Sequence, residues 1–103
     1  MRVAAADPQG VVSEETTLTF EQVGDVVSGH YRGGSIVAGY LVGRLVDTGN
    51  LRFCYVQTDL DGHLDAGIST GRFERLDDGR LRLIEQFQWL TRPESGTNVF
   101  EEV

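Results

Sequence analysis

The chain has 103 residues, of which 40% are hydrophobic, and a formal net charge of −7. This length fits one domain, residues 1–103, that can bury a core without a metal or a disulfide. The acidic balance excludes the basic surface typical of nucleic-acid-binding proteins and of proteins that dock on anionic membranes. We therefore expect neither nucleic acid nor a membrane as a partner.

Cysteine content and the absence of long apolar runs indicate the compartment. Cys54 is the only cysteine, so no internal disulfide can form, and its apolar surroundings predict an inert thiol in the core or the sheet. The N-terminal residues lack the apolar run of a signal peptide, and no stretch approaches the ~18 apolar residues of a membrane-spanning helix. These features predict a cytoplasmic protein.

The first third of the chain contains three predicted strands. Arg2–Ala6 is a short strand that ends before the turn-forming sequence at Asp7–Gly10. Ser13–Gln22 is rich in Thr and alternates around its apolar residues, as strands do. Asp25–Tyr31 follows after a glycine turn and ends at a Gly-Gly pair.

The longest β-branched stretch, Ser35–Val46, predicts a strand that contains two glycines. Gly39 and Gly43 lie four residues apart, so they face the same side of the sheet. Glycines inside strands mark bends, bulges or close approaches. The next predicted strand, Leu51–Thr58, carries its aromatic residues on one face.

Hairpin turns organise the rest of the chain. Asp61-Gly62 and Asp78-Gly79 are strong hairpin signals. They bound the predicted strand His63–Glu74 and are followed by strands at Leu81–Leu90 and Thr97–Val103. Because no capped helix appears and all connections are short, we predict an all-β fold, a single up-and-down antiparallel barrel of about eight strands. Its glycines favour closure; an open half-barrel or a sandwich is the alternative.

The stretch Leu81–Leu90 carries the only tryptophan and determines the predicted interior. Read with a period of two, one face holds Leu83, Glu85, Phe87 and Trp89, which places a carboxylate among apolar side chains. A buried carboxylate must be paired, hydrogen-bonded or protonated. The candidate partners on other strands are Tyr40, Arg44, Tyr55, Gln57 and Arg72. The Leu51–Thr58 strand adds Phe53, Tyr55 and Gln57 to the interior.

Three interpretations of this cluster remain open: a structural network in the core, a small-molecule pocket, and a partner-binding surface. Aromatic walls with a few convergent polar groups are typical of ligand sites. The predicted ligand-binding residues are Tyr40, Tyr55, Gln57, Glu85, Phe87 and Trp89.

Catalytic and metal-binding patterns are absent from the sequence. His30 and His63 lie beside predicted turns, and a metal site would require them to converge with a carboxylate. No spacing pairs either with Cys54 as a nucleophile. We predict no catalytic residue, no metal and no cofactor, and the residues favour a binding protein over an enzyme.

Apolar residues occur on both faces of the longest strand and exceed what one interior can hold. They are Ile36, Val37, Leu41, Val42 and Leu45. The surplus predicts self-association, such as a homodimer formed through the outer sheet. Scattered exposed apolar residues, which are normal, are the alternative.

Four stretches together resemble a family of small bacterial proteins with avidin-like or lipocalin-like barrels, many of which carry the name N-acetylglutamate synthase. They are Gly33–Val37 with Gly39 and Leu41, Phe53–Gln57, Leu83–Trp89, and Glu101–Val103. Gln88–Thr91 also resembles a late avidin strand whose Trp lines the biotin site, but the further aromatic walls of a biotin pocket are missing because Trp89 is the only tryptophan.

The name N-acetylglutamate synthase implies an acetyltransferase. Acetyl-CoA enzymes of the common fold hold pyrophosphate at a glycine-containing loop before a helix. The sequence contains neither that loop nor a following helix, and its negative charge disfavours a polyanion. The hypotheses are therefore a small-molecule-binding barrel, a non-catalytic oligomeric module, and an acetyltransferase supported by the name alone.

Overall fold

The computed structural model describes residues 2–5 and 10–103, and these form one antiparallel barrel with up-and-down topology. Its strands are β1 Arg2–Ala5, β2 Thr17–Val23, β3 Val26–Gly33, β4 Ile36–Asp47, β5 Asn50–Asp59, β6 Leu64–Arg75, β7 Leu81–Trp89 and β8 Ser95–Glu101. The predicted all-β, eight-stranded fold is confirmed. Within the described ranges, no helix is long and apolar enough to cross a membrane.

β1 joins the two ends of the sheet. It pairs with β8 at three positions, including Val3 with Phe100, and with β2 at one position, Arg2 with Thr17. The other neighbours pair over long registers; β4 and β5 alone match at ten positions. Closure of the barrel therefore depends on one short strand.

Most strand boundaries differ from the sequence prediction by one or two residues, and the starts of β2 and β8 have a local explanation. β2 begins at Thr17 because residues 13–16 form a turn, in which the Thr16 amide donates to the Ser13 carbonyl at 2.9 Å. β8 begins earlier than predicted because Ser95 pairs with Gln88 across the β7–β8 hairpin. Most of the predicted Asp7–Gly10 turn, and Ala6 at the end of the first predicted strand, lie outside the described residues.

The interior holds the side chains that alternation predicted. Leu83, Phe87 and Trp89 on β7 are buried, and so is Glu85 between them. β5 contributes a buried face of Leu51, Phe53, Tyr55 and Gln57. The predicted inward faces of β5 and β7 are both confirmed.

Inward glycines make room for the aromatic side chains. Tyr31 on β3 lies opposite Gly39 on β4, where an added Cβ would be 2.3 Å from the tyrosine ring. Tyr55 on β5 lies opposite Gly67 on β6, where an added Cβ would be 2.1 Å from the hydroxyl. Each ring thus extends across the neighbouring strand, and the close approach expected from strand glycines is confirmed at Gly39.

A pair of adjacent β7 residues tests the assignment of inside and outside. Phe87 is 4% exposed, whereas its neighbour Gln88 faces solvent. We expect Phe87→Ala to lower the free energy of unfolding by ~3–5 kcal/mol, because it opens a cavity in the core. Gln88→Ala should change it by less than about 0.5 kcal/mol. Urea denaturation measures both, and equal losses would contradict the assignment.

Candidate functional site

One end of the barrel is covered by the chain segment before β2. Val11 and Val12 pack against the core from outside the sheet. Two hydrogen bonds attach the segment: Ser35 Oγ donates to the Val11 carbonyl at 3.3 Å, and Thr16 Oγ1 donates to the Gly33 carbonyl at 3.2 Å. The segment therefore covers the end at which the β3–β4 turn lies.

A small cavity lies beneath this cover. The space open to the centre of a water molecule is about 30 Å³. Its walls are mainly aromatic, and its polar lining comes from Gln57, Glu85 and Asn98 with the hydroxyls of Tyr31 and Tyr55. Small-molecule sites commonly measure roughly 300–1,000 Å³. The interior is thus close to packed, with room for a group of few atoms.

The aromatic walls meet edge to face. The centroids of the Tyr55 and Trp89 rings are 5.4 Å apart at an interplanar angle of 75°, and those of Phe87 and Trp89 are 5.8 Å apart at 64°. Tilted arrangements of this kind are favoured because the positive edge of one ring faces the negative face of another. Contacts between the rings themselves therefore stabilise the arrangement of the cavity walls.

Glu85 supplies the carboxyl group of the cavity and is 6% exposed. Ser69 Oγ donates to its Oε2 at 2.6 Å, and Asn98 Nδ2 donates to its Oε1 at 3.2 Å. None of the ion pairs found among the described residues includes Glu85. Burial raises the pKa of the Glu85 carboxyl above its ordinary value, and the two hydrogen bonds oppose that rise only in part.

The two tyrosines of the cavity differ in their hydrogen bonding. The Tyr31 hydroxyl donates to Gln57 Oε1 at 2.8 Å, whereas the buried Tyr55 hydroxyl has no hydrogen-bond partner among the described residues. Ser69 gives its hydrogen to Glu85 and makes no hydrogen bond of acceptable geometry with Tyr55. Burial, followed by the charge of Glu85, raises the pKa of both phenols, so both remain neutral donors.

An ion pair borders the cavity at the covered end. Asp65 is 6% exposed and accepts hydrogen bonds from Thr91 Oγ1 at 2.7 Å and from the Arg92 guanidinium at 2.5 Å. The hydrogen bond from Arg92 lowers the pKa of the Asp65 carboxyl. The Arg92 guanidinium also lies 5.2 Å from the centroid of Trp89, on which it forms a cation–π contact.

The sequence interpretation missed Asp65, Ser69 and Asn98. Asp65 and Ser69 share the inward face of β6 with the glycines at 67 and 71, and Asn98 shares the inward face of β8 with Phe100. Alternation measured from those glycines, or from the phenylalanine, could have identified them.

Tyr40 does not belong to the interior. Its side chain is 61% exposed because it lies between Gly39 and Leu41, both of which face inward on β4. The predicted arginine partners of Glu85 are also wrong. Arg44 pairs with Asp25 at 3.0 Å and Arg72 with Glu74 at 2.7 Å, both on the outer surface.

Cys54 and the histidines are on the outside of the barrel. Cys54 lies on β5 and is exposed, so of its two predicted places, the core and the sheet, the structure shows the sheet. His30 is exposed but lies within β3 and not beside a turn. His63 converges with carboxylates in the β5–β6 turn: its Nδ1 lies 3.0 Å from Asp59 Oδ2, and ligand atoms of Asp59, Asp61 and His63 lie within 4.8 Å of one another.

That turn is explained by its own hydrogen bonds. Asp59 Oδ1 accepts the backbone N–H groups of Asp61 and His63, each at 3.0 Å. A carboxylate that accepts from the backbone two residues ahead stabilises a tight turn by itself. Metal binding is therefore not needed to account for the cluster, and the expected absence of a metal stays a prediction.

The fold and the cavity define a small up-and-down barrel whose covered interior is polar and aromatic. Comparison with family models gives the same class: the model described as "Avidin-like protein" matches residues 1–103, so the chain belongs to the avidin-like family. Comparison with curated proteins and with solved structures found no significant match. The resemblance to avidin-like barrels is thereby confirmed.

The buried carboxyl predicts a pH dependence of stability. The pKa of Glu85 is raised in the folded state from its ordinary 4.5, so the folded protein binds more protons than the unfolded chain above pH 4.5. Its unfolding free energy should therefore fall as pH rises, by up to about 1.4 kcal/mol per pH unit, until the folded carboxyl has ionised. The unfolding free energy of wild type minus that of Glu85→Gln, measured by urea denaturation at several pH values, isolates this effect. A difference that is constant or rises with pH would contradict it.

Proposed function

We propose that the barrel binds a small molecule in its interior. The observation that carries this proposal concerns two buried groups on the wall of one cavity: the described residues supply no cation to the Glu85 carboxyl and no hydrogen-bond partner to the Tyr55 hydroxyl. Membership of the avidin-like family supports it, because that family provides small-ligand-binding barrels.

Burial of these groups has an energetic consequence that favours a binding role. A buried hydroxyl without a partner costs about 1–3 kcal/mol, and a charged group costs more. A purely structural interior could avoid this cost with apolar residues of similar volume. A ligand that supplies the missing hydrogen bonds would recover part of the cost on binding.

The proposed ligand contacts come from two strands. Tyr55 and Gln57 on β5 and Glu85 on β7 provide polar contacts, and Phe87 and Trp89 form the walls. Access requires the segment at Val11 and Val12 to move or the ligand to be small, since the space available is about 30 Å³. The two hydrogen bonds that attach this segment are few enough for it to open locally.

Acetyl transfer is a weaker candidate than binding. The described residues contain no helix, so the helix N-terminus that acetyl-CoA enzymes use for phosphate has no counterpart among them. The cavity is also far smaller than a coenzyme. The N-acetylglutamate synthase activity that the resemblance implies stays a prediction.

A thermal-shift screen tests the proposed function. We expect at least one compound in a panel of cationic, neutral and anionic metabolites to raise the melting temperature by linkage and to change the fluorescence of Trp89. Glu85→Gln should alter that response, and Glu21→Gln on the exposed face of β2 serves as the control. If no compound in the panel stabilises the protein, the interior is a structural network.

The outer surface of β4–β6 supports a second role, self-association. Tyr40 and Val42 on β4 are 61% and 57% exposed, and Val56 and Ile68 on β5 and β6 are 43% and 42% exposed. The register makes Tyr40 adjacent to Val56, and it makes Val42 and Ile68 neighbours of Cys54. We call this contiguous apolar surface the outer patch. Of the apolar residues that the sequence offers on β4, Val42 lies in this patch, whereas Ile36 and Leu41 are buried in the core.

Sedimentation velocity at micromolar concentrations tests the second role. We expect wild type to sediment as a dimer or larger species, and Val42→Arg to sediment as a monomer because it inserts a charge into the outer patch. Thr19→Arg, on the exposed face of β2, should leave the assembly unchanged. A monomeric wild-type protein would contradict the proposal.

A further inference from the structure

The charge state and walls of the cavity indicate the chemical class of its ligand. We propose that the cavity binds a small organic cation, whose positive charge lies against the carboxylate of Glu85 and between the aromatic walls. This inference rests on the proposed function, because it requires the interior to be a ligand site. It goes beyond that proposal by assigning the sign of the ligand's charge.

The hydrogen bonds of Glu85 accommodate the ionised form that a bound cation would stabilise. Both carboxyl oxygens can accept a hydrogen bond, Oε2 from Ser69 and Oε1 from Asn98. An ionised carboxylate accepts both bonds, whereas a protonated one would donate its hydrogen to the Ser69 hydroxyl. The 2.6 Å distance from Ser69 Oγ is also within the range of about 2.5–2.7 Å for a hydroxyl that donates to a charged oxygen.

The described residues do not supply a cation to this carboxylate. The arginine at the covered end, Arg92, is held by Asp65 and lies over Trp89. The other arginine side chains that form ion pairs among the described residues do so with acidic residues outside the cavity. A ligand that carries a positive charge would therefore complete an ion pair that the chain leaves open.

The walls favour a cation and disfavour an anion. Aromatic rings present negative faces, and a cation enclosed by such rings is stabilised further when water is excluded. The Arg92 guanidinium on Trp89 illustrates this preference at the edge of the same cavity. The formal net charge of −7 also favours association with cations. An anionic ligand would lie against Glu85 without compensation.

Proton competition follows from the groups that face Glu85. Across the barrel these are the phenols of Tyr31 on β3 and Tyr55 on β5, which remain neutral. The flanking strands contribute Ser69 and Asn98, which do not titrate, and Asp65 at the covered end is ionised. A proton on Glu85 therefore competes with the cation, so affinity should fall as pH decreases.

A matched set of three probes tests the assignment. Acetamidinium, acetamide and acetate share one planar skeleton of few heavy atoms, suited to a cavity of about 30 Å³, and differ in charge. Titration of the full chain, followed by Trp89 fluorescence, gives their affinities. We expect acetamidinium to bind about tenfold or more tightly than acetamide, because it forms a charged hydrogen bond with Glu85, and acetate to bind more weakly still.

Two further measurements make the outcome decisive. Glu85→Gln should weaken acetamidinium by about tenfold and leave acetamide nearly unchanged, since the amide keeps the size of the side chain but removes its charge. If this variant does not fold, the pH dependence of wild type replaces it, and acetamidinium affinity should fall as the solution is acidified.

The results that overturn the inference are distinct from those that overturn the proposed function. Binding of acetamide or acetate at least as tight as that of acetamidinium would contradict the cation assignment while supporting an interior ligand site. Acetamidinium affinity that is independent of pH and of Glu85→Gln would also contradict it. Failure of all three probes to bind would contradict the assignment of a cationic ligand, and the wider metabolite screen would then decide the proposed function.

Discussion

Two large tyrosine side chains extend across the interior of this barrel because the strand facing each of them carries a glycine. The ring of Tyr31 occupies the space that a side chain at Gly39 would fill, and Tyr55 does the same at Gly67. Because Tyr31 extends across β4, its hydroxyl reaches Gln57 on β5 at 2.8 Å. Tyr55 extends across β6 in the same way and meets Trp89 on β7. The positions of the cavity walls therefore depend on two inward glycines.

The same constraint explains why a carboxyl is buried. β7 must face inward at Phe87 and Trp89 to meet the rings that cross from β5, and alternation then turns Glu85 inward as well. Its hydrogen-bond donors, Ser69 and Asn98, come from the inward faces of the two adjacent strands. These donors hold the carboxyl in place without neutralising it, which leaves its charge available to a ligand and reduces stability when it is ionised.

The fold and one wall of the site could be predicted from the sequence because both follow from the alternation of inward and outward side chains along each strand. Turn residues separate the strands, and the aromatic faces of β5 and β7 identified Phe53, Tyr55, Phe87 and Trp89 as interior residues. The prediction for Tyr40 is wrong because side chains alternate along β4, so the inward position of Gly39 turns Tyr40 outward.

The partners of Glu85 could not be predicted because they depend on register between strands. Arg44 and Arg72 fit the chemistry of an ion pair but lie on outward positions, whereas Ser69 and Asn98 are neutral residues that only the pairing of β6, β7 and β8 brings to the carboxyl. The volume of the cavity likewise depends on how the rings pack, which composition does not determine. The location of the protein and any catalysis stay predictions.

The most direct test of the account measures the protonation of Glu85 itself. In protein labelled with ¹³C at glutamate carboxyl carbons, the Glu85 resonance can be assigned by comparison with Glu85→Gln and followed by NMR as a function of pH. The account predicts an apparent pKa above 4.5 in the free protein, which falls when acetamidinium is added because the cation stabilises the charged form. A pKa at or below 4.5 in the free protein would mean that the carboxylate is already neutralised, and would contradict the account.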